Sequence, residues 1–262
     1  MTSVQAQPRN NEGGPRILFF GDPHGDFEPV IAATLRLRPE AIVLLGDLQP
    51  RRPLHLVLEA IRPLTEIWFI HGNHDTDSEA DYDNLWGSEL ADRNFHGQVV
   101  DIAGYKVAGL GGVFREKVWD PAVPWQDAAF ASPEKMLGRG EARSWKEGHG
   151  LWRGGVQLRH RSTIFPIDYT RLLKQRAHIL VTHEAPGAHR HGFDVLDDLA
   201  STLRATLHVH GHQHQDIDYQ AEGLRAGDPA VRAFGVDQGS YLAWPLVGTG
   251  TAIHRMAAVN GG

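Results

Sequence analysis

No cysteine occurs anywhere in the 262 residues, which removes disulfides, thiolate zinc sites and cysteine nucleophiles together. Any metal must then be held by oxygen and imidazole. No apolar stretch approaches the roughly 20 residues that cross a bilayer, and no segment repeats another, so a soluble chain without a membrane partner is expected. Basic excess is missing too: 26 Lys and Arg stand against 32 Asp and Glu, a formal net charge of −6. That argues against a broad nucleic-acid-binding face and leaves only a local patch for such a polymer. Residues 1–14 lack both a basic start and an apolar h-region; they read as a flexible tail, not a signal peptide, and a cytoplasmic location is expected. The remaining length, residues 15–262, suits one α/β domain.

What is present is a set of five short apolar runs, each ending in Asp, Asn or His. Ile17-Leu18-Phe19-Phe20 leads into Gly21-Asp22-Pro23-His24-Gly25, and Ala41-Ile42-Val43-Leu44-Leu45 into Gly46-Asp47. Ile67-Trp68-Phe69-Ile70 precedes Gly72-Asn73-His74-Asp75, His178-Ile179-Leu180-Val181-Thr182 precedes His183, and Thr206-Leu207-His208-Val209-His210 precedes Gly211-His212-Gln213-His214. Runs of this length bounded by Gly predict buried strands. Residues just past the carboxyl ends of strands converge in open α/β sheets although distant in sequence. Helical patterning over residues 28–38, 53–62, 168–176 and 193–203 alternates with the strands and predicts a largely parallel sheet, with antiparallel additions near residues 99–101, 105–109 and 241–254.

Residues 114–166 break the alternation. They hold Trp119, Trp125, Trp145 and Trp152 among Arg139, Arg143, Arg153 and other basic residues. The segment is expected to be a helical cap whose tryptophans stack on substrate and whose arginines meet phosphate oxygens; tryptophans filling a subsidiary core are the competing reading.

Asp22 and His24, two apart in extended backbone, would point to one side and grip one ion. Asp47 could span two ions, Asn73 offers an amide oxygen, and His183, His212 and His214 supply imidazoles. Such mixed oxygen and nitrogen sets suit Mn, Fe, Zn, Co or Ni over Ca or Mg. Each signal alone is weak; five at five strand ends point jointly to two metal ions. His71, His189, His191, His208 and His210 would overfill two sites and are expected in structural roles.

The order Asp-x-His, Gly-Asp, Gly-Asn-His-Asp, His, Gly-His-x-His, spread over residues 17–214, resembles the calcineurin-like metallophosphoesterase superfamily. The resemblance implies a four-layer fold, a central β-sandwich of two mixed sheets flanked by helices. It also implies two divalent metals, typically manganese or iron, one held by Asp22, His24, Asp47 and His214 and the other by Asp47, Asn73, His183 and His212. His74 would then donate a proton, with Asp75 orienting it or raising its pKa. Arg51 falls where the phosphate-binding Arg of related protein phosphatases stands, although Gly46-Asp47-Leu48-Gln49-Pro50-Arg51-Arg52 departs from their Gly-Asp-x-Val-Asp-Arg-Gly. The closing Gly211-His212-Gln213-His214 looks more like the phosphodiesterase branches. A phosphodiesterase for a small nucleotide-like substrate is therefore expected, ahead of a phosphomonoesterase or protein phosphatase and of a non-catalytic scaffold.

Overall fold

The computed structural model describes residues 14–138, 151–224, 227–246 and 252–256. The tail expected over residues 1–14 falls almost wholly outside them, as do Arg139, Arg143 and Trp145. The apolar runs form strands because both of their faces are buried. In β1 (Ile17–Phe20), Ile17 and Phe19 enter one apolar layer while Leu18 and Phe20 enter another, so a strand's two-residue period leaves no place for a polar side chain. β2 (Ala41–Leu44) lies parallel to β1, and β3 (Glu66–Phe69) parallel to β2.

A second sheet contains β4 (Gln98–Ile102), β5 (Tyr105–Leu110), β6 (Ile179–Thr182), β7 (Leu207–His210), β8 (Ile217–Asp218) and β9 (Arg232–Gly235), in the order β4-β5-β6-β7-β9-β8. Its four inner strands are parallel and its two edges antiparallel. β10 (Ser240–Trp244) and β11 (Ile253–Arg255) return antiparallel to the first sheet, giving β11-β10-β1-β2-β3. Ile17, Phe19 and Val43 of the first sheet meet Val107, Val181 and Val209 of the second in one buried layer.

Helices cover both outer faces. α1 (Glu28–Leu37), α2 (Leu54–Val57) and α3 (Glu79–Trp86) lie on the first sheet. α5 (Pro166–Leu172) and α6 (Asp194–Leu203) lie on the second, with α4 (Pro133–Gly138) belonging to the insertion. α6 shows why the pattern reads as helix: Leu196, Leu199, Ala200 and Leu203 make one buried stripe, Asp194 and Asp197 occupy the first turn, and Arg204 closes the end in a left-handed conformation. The result is helix, sheet, sheet, helix. The two mixed sheets that the family resemblance implied are thus present; the alternation of strand and helix, which argued only for a largely parallel sheet, could not separate them, since strands buried on both faces carry no mark of which layer they join. The helix expected over residues 53–62 stops at Val57, five residues short, with Pro63 just beyond to disfavour helical backbone at Arg62. Among the described residues no helix is long and apolar enough to cross a membrane.

Among the described residues the insertion does not form a helical cap. Its described residues are turns and short 3-10 segments apart from the six residues of α4. Trp119 has no solvent exposure and packs edge-on against Phe114 and Tyr169, in one cluster with Val118, Phe130, Val156 and Leu172. Trp119 cannot stack on a substrate; it completes the layer between the second sheet and its helices.

Candidate metal centre

β1, β2 and β3 run side by side, as do β6 and β7, so five carboxyl ends open on one rim. Packing there is close enough to exclude any Cβ at three glycines. A side chain at Gly46 would strike the His183 ring, one at Gly72 the Asp47 carboxylate, and one at Gly211 the Asp22 carboxylate. Backbone strain gathers at the same place: His24, Asp47, His212 and His214 all have φ between 45° and 67°. Non-glycine residues in that region are costly and cluster at functional sites. The left-handed turn at His24 also corrects the argument that extended backbone aligns it with Asp22; a turn, not strand alternation, brings the two together.

Two groups of side chains result. One ligand atom each from Asp22, His24, Asp47 and His214 all lie within 4.8 Å of one another, and so do atoms from Asp47, His183 and His212. Asp47 belongs to both. Asn73 joins the second group through Oδ1, 3.2 Å from His183 Nε2. Within the first, His214 Nε2 is 3.4 Å from Asp22 Oδ2 and 3.1 Å from His24 Nε2. All seven side chains named as candidate ligands from the sequence therefore meet at one rim.

The donor set suits a cation. His183 donates Nδ1–H to Leu45 O at 2.9 Å and turns Nε2, the atom it would offer an ion, toward Asn73 Oδ1 and, at 3.3 Å, Asp47 Oδ2. His24 Nδ1 likewise meets Gln49 Oε1 at 2.7 Å and turns its Nε2 toward His214 Nε2. These nitrogens and oxygens converge within hydrogen-bond distance, so the space between them takes positive charge, as a proton or as a bound ion. Asp22 Oδ1 is buried with no hydrogen-bond partner among the described residues, while Oδ2 receives the His212 N–H at 2.6 Å. Electrostatics agree. Burial opposes a charge on His183, yet Asp47 outweighs it and pushes the imidazole up to about 10. Burial also works against the Asp47 carboxylate, but His183 and the His74 N–H, 2.8 Å from Oδ1, hold it below its ordinary range. The pocket demands positive charge.

His74 stands at the mouth, half exposed, with Nδ1 2.6 Å from Asp77 Oδ2. Burial lowers its pKa, but Asp77 and Asp47 more than offset that and raise it. Asp75 is not its partner, which corrects the expectation. The Asp75 carboxylate is fully buried and accepts the N–H groups of Leu48, Gln49 and Gly72 at 2.7–2.9 Å, tying the Asp47 and Asn73 loops together. Burial and nearby Asp47 push it up to about 7. Sequence reasoning passed over three residues here: Asp77, Gln49 and Glu184. Asp77 had a usable signal, since three residues past His74 in a turn is within reach. Glu184 is buried, with Oε2 3.7 Å from His212 Nε2, and burial pushes it up to about 7. Arg51 is exposed beside the His24 turn; a Cβ on Gly25 would lie 3.8 Å from its Nε. His208 and His210 are buried away from the rim, on Thr182 Oγ1 and the Tyr219 hydroxyl respectively.

Fold and site together define a class, and sequence comparison gives it a name. The chain belongs to the calcineurin-like phosphoesterase family, whose model matches residues 15–216, and the family's chemistry is metal-dependent hydrolysis of phosphoesters. A particular relative is an uncharacterized protein of Haemophilus influenzae, 38% identical over 227 residues that cover 86% of this chain and 96% of that one. Among solved structures, TT1561 of Thermus thermophilus superposes with a TM-score of 0.54 at 17% identity, covering 88% of this chain and 94% of its own. A second crystal structure gives 0.52 at 13% identity, covering 93% and 100%. At such identities these two show the shared fold alone.

Proposed function

We propose that the protein is a dinuclear phosphodiesterase for a small, nucleotide-like substrate. The observation that carries the reading is the double use of Asp47: Asp22, His24, Asp47 and His214 would hold one divalent transition-metal ion, and Asp47, Asn73, His183 and His212 a second. Bound there, the ions would supply Lewis-acid charge to the phosphoryl oxygens and acidify water at the site.

The chain's own residues do the rest. His74, its Nδ1 held by Asp77, keeps a proton on Nε2 and gives it to the departing alkoxide oxygen. Asp77 both orients the ring and favours its protonated form. Asp75, by tying three backbone N–H groups, fixes the loops that carry Asp47 and Asn73. His183 is aimed by Leu45 O and His24 by Gln49, which sets the tautomer of each. A ligand-complete rim and a poised His74 leave little room for a non-catalytic scaffold.

A phosphomonoesterase is the second reading, favoured by exposed Arg51 beside the His24 turn. Hydrolysis of bis(p-nitrophenyl) phosphate and p-nitrophenyl phosphate by manganese-loaded protein separates the two. The higher kcat/KM should belong to the diester; a higher value for the monoester, lost in Arg51→Ala, would establish the second reading instead.

A further inference from the structure

The chain that leaves β5 brings Arg115, which has no ion pair among the described residues, between two walls of the metal centre. Val113 N–H bonds Ser162 O at 2.9 Å and Ile164 N–H bonds Val113 O at 3.0 Å, so residues 113–115 run against the 162–164 segment. That segment leans on the His74 loop through the hydroxyls of Thr76 and Ser162, 2.7 Å apart. On the other side, Phe114 N–H bonds Glu184 Oε1 at 3.1 Å, and Glu184 reaches toward His212. Arg115, next in sequence, therefore sits between the wall carrying His74 and the wall carrying His212.

Its guanidinium is aimed but not neutralised. Nε donates to Thr163 Oγ1 at 3.0 Å, and that hydroxyl in turn meets His160 Nδ1 at 3.1 Å. Among the described residues its Nη nitrogens have no hydrogen-bond partner, and no carboxylate forms an ion pair with it. Arg159, in the 3-10 segment Leu158–Ser162, and Lys117, in the turn after Arg115, are exposed, act on the same His160 and are equally without ion pairs among the described residues. Burial and Arg159 lower the Arg115 pKa, and the nearby Glu184 and Asp77 carboxylates, with which it forms no ion pair among the described residues, offset this only in part. Its neighbour arginines differ: Arg153 is paired with Asp83 and Glu79 on α3, and Arg161 lies over the Trp152 ring at 5.7 Å. In a chain of net charge −6, three cations gathered around His160, with Arg115 between the walls that carry His74 and His212, suit an anion.

We propose that Arg115 and Arg159, with Lys117 at the edge, form an anion subsite that takes a second phosphate of the substrate, so that the molecule hydrolysed carries a phosphate besides the ester that is cut. The planar guanidinium fork suits two phosphate oxygens at once, and Thr163 fixes its direction in advance. Which phosphate is cut rests on the phosphoesterase reading; the existence of the subsite does not.

The test is equilibrium dialysis of the full chain at fixed free Mn2+ with thymidine 3′,5′-bisphosphate, thymidine 5′-phosphate and thymidine 3′-phosphate. The wild type should bind the bisphosphate about tenfold or more tightly than either monophosphate. Arg115→Ala should abolish most of that ratio, Arg159→Ala part of it, and Arg115→Lys should keep some because charge remains while the fork is lost. Wild-type affinities for mono- and bisphosphate within about twofold of each other would overturn the subsite. So would an unchanged ratio in Arg115→Ala, or in exposed Arg159→Ala should the former fail to fold. Failure of the phosphoesterase reading looks different: no ester is hydrolysed by manganese-loaded protein, whatever the binding ratio.

Discussion

The strand-end rim gathers the residues that the sequence named for it, whereas Trp119 of the 114–166 insertion, named for a substrate, goes into the core. At the rim, position follows from covalent connectivity. A buried strand stops, a glycine admits a tight turn, and the next Asp or His has nowhere to go but the mouth between the sheets. In the insertion, position follows from packing. Trp119 is fully buried while Trp125, six residues on, is exposed, and nothing in their immediate sequence distinguishes them. Ligand geometry is local and repeated; core filling is global.

Breaking the rim should cost the most. Asp47→Ala removes a side chain common to both candidate sets and should lower turnover by about 10^3-fold or more, beyond the 10–100-fold typical of losing an outer partner of a ligand. Steady-state rates on a diester, with metal content measured alongside, check this. His74→Ala should retain metal yet lose about 10^2-fold or more on esters with alkoxide leaving groups, and much less on p-nitrophenyl esters that need no proton. Equal losses on both would remove the proton-donor role. Asp77→Asn should show the same contrast, weaker.

The insertion is sharpened by a pair of variants. Trp119→Ala should destabilise by about 3–5 kcal/mol through an unfilled cavity, whereas Trp125→Ala should stay within about 0.5 kcal/mol. Denaturant midpoints decide it, and comparable losses at both would return Trp125 to the core.

An effect confined to acid pH concerns the buried imidazoles. Burial holds His208 down at about 3, against the usual 6.5. A depressed folded value means that its contribution to stability is complete above pH 6.5 and is lost as pH falls toward 3. Melting temperature should therefore drop across that window, and His208→Gln, which does not titrate, should make the drop shallower. His160 and His210, held down by burial to about 4 and about 3, would keep part of the slope.

Much of this architecture was readable before any coordinates. The five strands follow from the apolar runs, and the convergence of Asp22, His24, Asp47, Asn73, His183, His212 and His214 from their polar ends, whereas the order of strands within the sheets does not. Layer membership was not readable, because Leu18 and Phe19 are equally apolar and only the second sheet distinguishes their faces. Nor was the partner of His74: adjacency suggested Asp75, but a 3-10 turn over His74–Thr76 sends that side chain inward and brings Asp77 alongside. Arg115 is not distinguished by sequence in a segment with many cations, since what sets it apart is its place between the His74 and His212 walls with no ion pair among the described residues, a property of the folded chain.

The claim on which the rest depends is that one carboxylate serves two ions. Elemental analysis after reconstitution with Mn2+ and removal of the excess should find close to two equivalents per chain in the wild type, and fewer than one in Asp47→Asn. One equivalent at saturation with full activity, or two retained by Asp47→Asn, would contradict the shared-carboxylate centre.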